Sequence, residues 1–593
     1  MDNKFWRRYE KGKDYLDVKN LLNRSNKCWN FFVGKQWEGI EADGEELPFL
    51  NYIHPNVMRK VTTIYTNRMT VNYSDMDGRT DLQPVYERLS QMFAAKWEKS
   101  NEDTYCRTTL KHACIVGDGY QYFPTGEVED VQLLNNTDIL LGNESEPNIQ
   151  RQPFIIIQER RSVEEVKEMA RANGIPENEI ALIQPDRDTD YTLGNTDEVE
   201  NADSSDTMKV TMITHFEKKR EPITEAVWEE VDTENGVEMH SSIVQTGERE
   251  VVYVAKCTKT AMVEEERPIK GEPSQVQSAK GFQGRGLRLY PIVKLPWELY
   301  PNDARGVSQV EGLIPNQILV NKTIARWAMT IKNTAFPRMA YDETMVANPD
   351  DLMKVGMPIA VASGGAQAVN QAVSYLNPAI ASGEPKDLLN TIMEVTQELS
   401  GSGDTTMGNI DLQRVAASAI VAVNEQAQSM HDDTVANLHL FVEDLANLWV
   451  ELWQVFSPNG MTVVVKETQE QPVIDPTTGM PAIDPMTGMP QTEVVEFEVP
   501  VQITAEELDE IKPMTRIDVT RDTAFVSEAR QQENDKLLEM GVISFEEWVE
   551  ASEAGTIPKK IYEKILERRK AQMQQQMQEQ MQMQQQMQPP PMG

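Results

Sequence analysis

The chain of 593 residues carries 57 Lys and Arg against 94 Asp and Glu, a formal charge of -37. Affinity for a phosphate backbone comes mainly from Lys and Arg, so this acidity suits either a soluble protein with no nucleic-acid role or one that lets DNA pass without gripping it. The 40% hydrophobic and 7% aromatic content supports a buried core, while no apolar run approaches the ~20 residues of a membrane span and the polar residues 1–8 lack a signal peptide's apolar core, which predicts an intracellular chain with no membrane partner.

Length alone corresponds to about four domain-sized blocks. Residues 1–38 read as a polar and aromatic helical block closing at Phe31–Trp37. Residues Asn51–Pro55 then enter a helix whose apolar side is Val57, Val61 and Ile64, with Pro55 near the first turn, where a missing amide hydrogen costs nothing. Helices are predicted over 83–99 and 103–116, the second bearing Cys106 and Cys114 two turns apart. Cys28 and Cys257 lie elsewhere and no CxxC pair occurs, so neither a disulfide framework nor a zinc site is expected. Gly117 and Gly119 break the helical pattern, and strands follow at 120–123, 154–158, 210–216 and 250–255. A short helix between them is opened by Ser162 and Glu165 as a capping box. The acidic stretches 184–207 and 224–248 read as loops.

A strand over 287–297 closes this region and hands over to Gly306–Glu311, where Ser308 and Glu311 form a second capping box. Pro315 is expected to interrupt or restart the helix, which continues from Gln317 to Lys332 with Val320, Ile324, Trp327 and Ile331 on one face. Residues 336–375, rich in Pro and Gly, read as short strands and turns. The next helix runs over 386–400 and ends in the Gly401–Gly408 segment. From Leu412 to Phe456 there is no Pro or Gly, and Leu438, Phe441, Leu445, Leu448, Leu452 and Val455 recur at spacings of three and four. An unbroken helix there would reach on the order of 65 Å, long for the core of a compact domain. Strands at 462–465 and 494–499 flank a tandem repeat, 473–481 and 482–490, whose Asp-Pro and Thr-Gly pairs mark turns of a surface arm. Residues 559–569 read as helical. The Gln/Met-rich stretch 571–588 reads either as disordered or as an extension of that helix.

Catalytic chemistry finds no support. Gly403 and Gly408 have the spacing of a phosphate-binding loop, but Asn409 stands where its Lys belongs and Ile410 where its metal-binding hydroxyl belongs. The six histidines form no HExxH, and His431 and His439 read as a solvated helix face. No cofactor, no metal and no catalytic residue is expected.

The order of these elements resembles the portal family of tailed bacteriophages, the ring-forming head-to-tail connectors. The resemblance rests on Gly34–Trp37, the Asn51–Pro55 helix entry, Pro291–Val293 ahead of Gly306 and Ser308, Gln317 and Asn321 followed by Ala335–Pro337, and Ser418–Ile420. It covers roughly 25–460 and, more loosely, 515–570. It implies an α+β, mainly helical fold in which 1–305 form an N-terminal helical region and wing, 306–333 a first stem helix, 334–380 a clip and 381–400 a second stem helix. Residues 401–411 would then be a tunnel loop, 412–499 a long wing helix with the strand and repeat insert, 500–556 a crown, and 557–593 a C-terminal helix and tail, the tail being either disordered or a short version of the helical barrel of some short-tailed phages. The acidic stretches and the repeat match no family pattern.

The resemblance further implies a homo-oligomer of twelve copies at a capsid vertex that conducts double-stranded DNA. Its implied partners are the terminase large subunit, the major capsid or scaffold protein, and tail adaptor proteins. Gly401, Ser402, Gly403, Asp404, Thr405, Thr406, Met407 and Gly408 would face the DNA, three glycines giving the loop freedom to change shape. Lys322, Arg326, Lys332 and Arg414 read either as salt bridges between subunits or as a sparse basic ring lining the channel. The alternatives are a virion structural or scaffold-type protein that binds no DNA, and a nucleotide-driven remodelling factor.

Overall fold

A computed structural model describes residues 3–37, 47, 50–65, 68–75, 82–186, 208–233, 236–272, 284–335, 339–353, 360–361, 372–375, 384–399, 432–472, 492–511 and 513–520. The chain divides into two compact units, Met1–Tyr65 with Ser100–Pro458, and Thr66–Lys99 with Asn459–Gly593.

Helices α1 (Lys4–Val18) and α2 (Leu21–Val33) begin the first unit. The Asn3 side chain accepts the Phe5 amide at 3.0 Å and starts α1, while Asn20, in the left-handed region at φ 52°, separates the pair. In α3 (Ile53–Ile64) Val57, Val61 and Ile64 are buried, as their spacing predicts. Strand β1 (Arg68–Asp75) and most of helix α4 (Gln83–Ser100) belong to the second unit. Helix α5 (Glu102–Val116) returns to the first, and Gly117 ends it at φ 103°, a conformation that L side chains avoid.

Two antiparallel sheets follow. Strands β2 (Asp118–Tyr122), β3 (Gln132–Leu134), β4 (Ile139–Leu141) and β5 (Phe154–Ser162) lead into α6 (Val163–Ala172) and the single turn α7 (Glu177–Ile180). The Ser162 hydroxyl accepts the Glu165 amide at 3.2 Å, the cap read from the sequence. Strands β6 (Lys209–Thr233), β7 (Gly236–Cys257), β8 (Met262–Pro268) and β9 (Ile292–Pro296) complete the set. The five-stranded sheet has the order β4-β5-β6-β7-β8 and the three-stranded one β3-β2-β9. Alternate residues of β5 point to opposite faces. Ile155 and Ile157 join a core with Tyr120, Phe216, Tyr290 and Ile292, whereas Ile156 meets Phe5, Tyr9 and Leu16 of α1, so the sheet is buried on both sides.

Three expectations need correction. The acidic stretch 224–248 is not a loop. Its backbone continues β6 and β7 as a hairpin paired out to Thr233↔Gly236, with strand-forming Val227, Trp228, Val231 and Ile243 interspersed among the carboxylates. The strand expected over 287–297 is confined to Ile292–Pro296, although Leu287 exchanges backbone hydrogen bonds with Val252 and Ile269. Pro315 does not break its helix: α8 runs unbroken from Gln309 to Ala335. Pro315 sits on the exposed side, and burial of Leu313, Ile314, Gln317 and Val320 opposite outweighs the roughly 3 kcal/mol cost of an internal proline.

After α8 come β10 (Met339–Tyr341) and β11 (Val373–Tyr375), paired antiparallel, then α9 (Glu384–Leu399). Helix α10 (Asp432–Phe456) is the described part of the long helix, and all six residues of its predicted stripe are buried. It packs on β9, and buried Glu451 accepts from Arg288 at 2.7 and 3.0 Å. In the second unit β12 (Met461–Pro472) pairs with β13 (Thr492–Ile503), extending both predicted strands. Helix α11 (Ala505–Glu510) starts on a Thr504/Glu507 capping box, and β14 (Pro513–Thr520) pairs with β1. Arg88 of α4 holds Glu507 at 2.7 Å and the Gln502 carbonyl at 2.7 Å. Residues 187–207, the tandem repeat 473–490 and the Gln/Met tail lie outside the described residues. No helix among the described residues is long and apolar enough to cross a membrane.

One buried carboxyl makes this packing sensitive to pH. Glu102 of α5 is fully buried. Its Oε1 accepts from Gln121 at 2.7 Å, and its Oε2 has no partner. Burial pushes it up to about 7, so between pH 4.5 and 7 the folded chain holds a proton that the unfolded chain has released. Stability therefore falls as pH rises through that window, by about 1.4 kcal/mol per unit for one proton. Glu102→Gln is expected to flatten the pH dependence of the unfolding midpoint between pH 5 and 7. Equal slopes for wild type and variant would show that Glu102 ionises freely in the fold.

Candidate functional site

Three of the residues singled out in the sequence for contact with DNA, Lys322, Arg326 and Lys332, lie on α8, and the geometry of that helix begins at its root. Gly117 and Gly306 meet there backbone to backbone; a Cβ on either would overlap the other's carbonyl oxygen. The carboxylate of Asp118 accepts the Gly306 amide at 2.9 and 3.0 Å and pairs with Lys294 at 3.4 Å, both side chains being buried. Lys294 also donates to the Ala304 carbonyl. Arg305 donates twice to Glu144 at 2.9 Å, and to the carbonyls of Asn136 at 2.8 Å and Ile139 at 3.0 Å. Burial opposes the charge on Arg305, but the Tyr120 hydroxyl and the carboxylates of Glu144 and Asp118 outweigh it and raise its pKa. The Ser308 hydroxyl caps α8 by accepting the Glu311 amide at 3.1 Å and donating to the Ile115 carbonyl. Every group that starts α8 is thus tied to α5, β2, β9 or the β3–β4 region.

A second polar set grips the next two turns. Gln317 accepts the Tyr52 amide at 3.2 Å and donates to the Leu50 carbonyl at 2.7 Å and to Asn321 at 2.9 Å. Asn321 donates to Gln36 at 2.6 Å, and Gln36 to the Phe31 carbonyl. The Gly34–Trp37 and Gln317/Asn321 motifs therefore meet in space. Asn316 of α8 donates to Thr396 of α9 at 3.1 Å, joining the start of one helix to the end of the other.

Beyond Asn321 more of α8 is exposed. Val320 is buried, Ile324 and Trp327 are half-buried and Ile331 is exposed. Leu319 and Met329 on α8, and Leu388 and Val395 on α9, are exposed as well. Lys322 and Arg326, one turn apart on the exposed side, have no acidic partner among the described residues. Lys332 lies on the last turns of α8, where the backbone alone is described. The Gly401–Gly408 loop and Arg414 lie outside the described residues.

Two hollows adjoin the root. A cavity of about 60 Å³ is bounded by Arg24, Ser25, Cys28, Asp303, Arg305 and Ser308, with room and polar partners for water. A cleft of about 350 Å³ opens beside it between Asn20, Asn23, Lys27, Ile314 and Pro315, and Arg24 bridges it to Glu311 at 2.6 and 2.8 Å. The Cys28 thiol is pushed up to about 11 by burial and is no nucleophile at neutral pH. His215 is held down to about 3 by burial and by Arg8 at 3.0 Å. Among the described residues no group of three or more His, Cys, Asp or Glu is placed to hold a metal.

The chain matches the family model described as Phage P22-like portal protein over residues 7–592. It belongs to the P22-like phage portal family. A search of curated proteins found no match. Membership makes the portal chain a structural component of a tailed-phage virion and implies a homo-oligomeric ring at a capsid vertex. Sequence reasoning missed Asp118, Lys294, Glu144 and the role of Arg305 in the portal chain, since nothing local marks contacts made across more than 150 residues. The one local signal was Gly117-Asp118-Gly119, read only as a helix terminator.

Gly306→Ala is expected to lower stability by about 3 kcal/mol through overpacking against backbone that has no room to yield, seen as a lower denaturation midpoint. Arg305→Met, which leaves half-buried Glu144 without its cation and the Asn136 and Ile139 carbonyls without their donor, is expected to cost about 3 kcal/mol, and adding Glu144→Gln is expected to restore part of it. Strict additivity of the two losses would mean that the pair does not interact.

Proposed function

We propose that the chain is one subunit of a twelve-membered ring whose channel conducts double-stranded DNA during genome packaging and ejection. The ring docks the terminase large subunit during packaging and tail adaptor proteins afterwards, and it contacts the major capsid or scaffold protein at the vertex. In this reading 306–333 and 381–400 are the stem helices, 334–380 the clip, 401–411 the tunnel loop, 412–499 the long wing helix with its insert and 500–556 the crown. The described helix α8 and the start-to-end contact of α8 with α9 support a stem joined through the clip. The C-terminal 557–593 are read as the tail.

The observation that carries the DNA-conducting part is the pair Lys322 and Arg326, exposed and without a carboxylate partner among the described residues, on a chain of charge -37. Sparse cations on an acidic wall offer passing phosphates brief contacts without the counterion release that makes for tight binding. Gly401–Gly408, Lys332 and Arg414 are assigned to the same channel.

Lys322→Ala/Arg326→Ala is expected to leave rings intact in class-averaged micrographs while changing the rate of packaging, or the retention of packaged DNA, severalfold. Loss of rings in the double variant would reassign both residues to salt bridges between subunits. Unchanged packaging with intact rings would favour a structural part that does not touch DNA.

A further inference from the structure

The hairpin of β6 and β7 outgrows its sheet. Strand β5 accompanies β6 only as far as Glu217, and β8 with residues 284–287 accompanies β7 only inward from Arg249. Beyond a register shift at Ile223/Thr224 the two strands run on alone, paired from Thr224↔Gln245 to Thr233↔Gly236. Ten residues of strand at about 3.3 Å each carry this ribbon roughly 33 Å past its last strand neighbour. Among the described residues neither edge has a further strand. A two-stranded ribbon is marginal in water by itself, and free strand edges are ordinarily covered.

Composition says what kind of surface would cover it. Residues 223–247 contain six acidic residues, Glu225, Glu229, Glu230, Asp232, Glu234 and Glu238, and no Lys or Arg. They also contain Val227, Trp228, Val231 and Ile243, apolar bulk that gains from being taken out of water. The opposite charge is concentrated at one place. Residues 4–27 hold eight Lys and Arg against three Asp and Glu, in a chain otherwise strongly acidic. Lys4 and Arg8 are engaged by Glu217 of their own chain. Lys11, Lys19 and Lys27 are exposed and have no acidic partner among the described residues. Lys27 also borders the 350 Å³ cleft between α2 and the start of α8, a concavity on the same basic surface.

We propose that the ribbon of one subunit lies on the α1–α2 surface of a neighbouring copy, with Lys11, Lys19 and Lys27 as its counter-charges. The proposal rests on the ring reading above. The two patches differ, so the contact is head-to-tail, the type that closes a ring of many copies instead of a twofold dimer. Single exposed charge pairs contribute little. Burial of the ribbon's apolar residues supplies the cohesion, and the charges select partner and register.

Carbodiimide coupling of purified rings, which condenses a carboxylate directly with an amine, is expected to join peptides from 223–247 to Lys11, Lys19 or Lys27 in rings and not in dissociated subunits. Coupling of the ribbon only to other lysines overturns the proposal. Glu225→Lys/Glu229→Lys/Glu230→Lys is expected to raise the concentration for half-maximal ring formation at least tenfold at low salt. Lys11→Glu/Lys19→Glu/Lys27→Glu is expected to do the same, and the combined variant to recover most of the loss. Additive losses without recovery overturn it. Deleting 224–246, which spares the five-stranded sheet, guards against misfolded charge variants: unchanged ring formation by that deletion sinks the interface alone. A wild-type chain that stays monomeric at every concentration sinks the ring reading, and this interface with it.

Discussion

Gly117 and Gly306 touch backbone to backbone, and most of the first unit is arranged to keep them there. The contact brings Asp118 within hydrogen-bonding distance of the Gly306 amide and sets Lys294 and Arg305 into a pocket of carbonyls and carboxylates. Each of these charges would be costly to bury alone. Together they are satisfied only if the end of α5, the start of β2, the β9 strand and the start of α8 share one point. A side chain at either glycine would force the four apart, and the ion pairs would lose the geometry that justifies their burial. The direction in which α8 leaves the sheets is in this sense decided by the absence of two methyl groups.

Helix α8 differs between its two halves. Up to Asn321, α8 is held by Gln36, Tyr52 and Leu50 through a chain of side-chain amides, which pair with backbone and with each other in fixed directions. Past that point, among the described residues, apolar Met329 and Ile331 are exposed on the same helix as Lys322 and Arg326. A family that assembles as a ring supplies neighbours for such a surface. The mixture of apolar and cationic residues is what a helix with two duties would carry, cohesion along one stripe and solvent or ligand contact along the next.

Much of this was legible in the sequence where the information is local. The stripe from Leu438 to Val455, the caps at Ser162 and Ser308, and the helix end at Gly117 all depend on residues within a few positions of one another, and each is found in the structure. The ribbon of β6 and β7 is hidden in the sequence by its carboxylates, which interrupt the β-branched and aromatic residues without a period of two. Asn235-Gly236 is a turn signal at this point in the sequence, although the pairing Thr233↔Gly236 places Gly236 in the strand. Pro315 is misleading too: the cost of an internal proline is fixed, whereas the burial that offsets it depends on residues Leu50 to Thr396 and is invisible locally. The joint at Asp118 and Arg305 lay beyond reach for a related reason, as its partners are separated by 160 to 190 positions. Lys322 and Arg326, named from the sequence as candidate channel residues, are exposed on α8.

The unbroken length of α8 has a mechanical side. Its last 14 residues, past Asn321, make an arm of about 21 Å on a root fixed by the glycine contact and by Gln317 and Asn321. Over that distance a tilt of about 10° carries the far end through about 3.6 Å, enough to lose a hydrogen bond made there. A lever is only as accurate as its fulcrum. With no slack at Gly117 and Gly306, a load applied near Ala335 is transmitted to β2 and β9 instead of being absorbed by bending at the root. The sheets thereby become the part of the subunit that registers what happens at the distant tip.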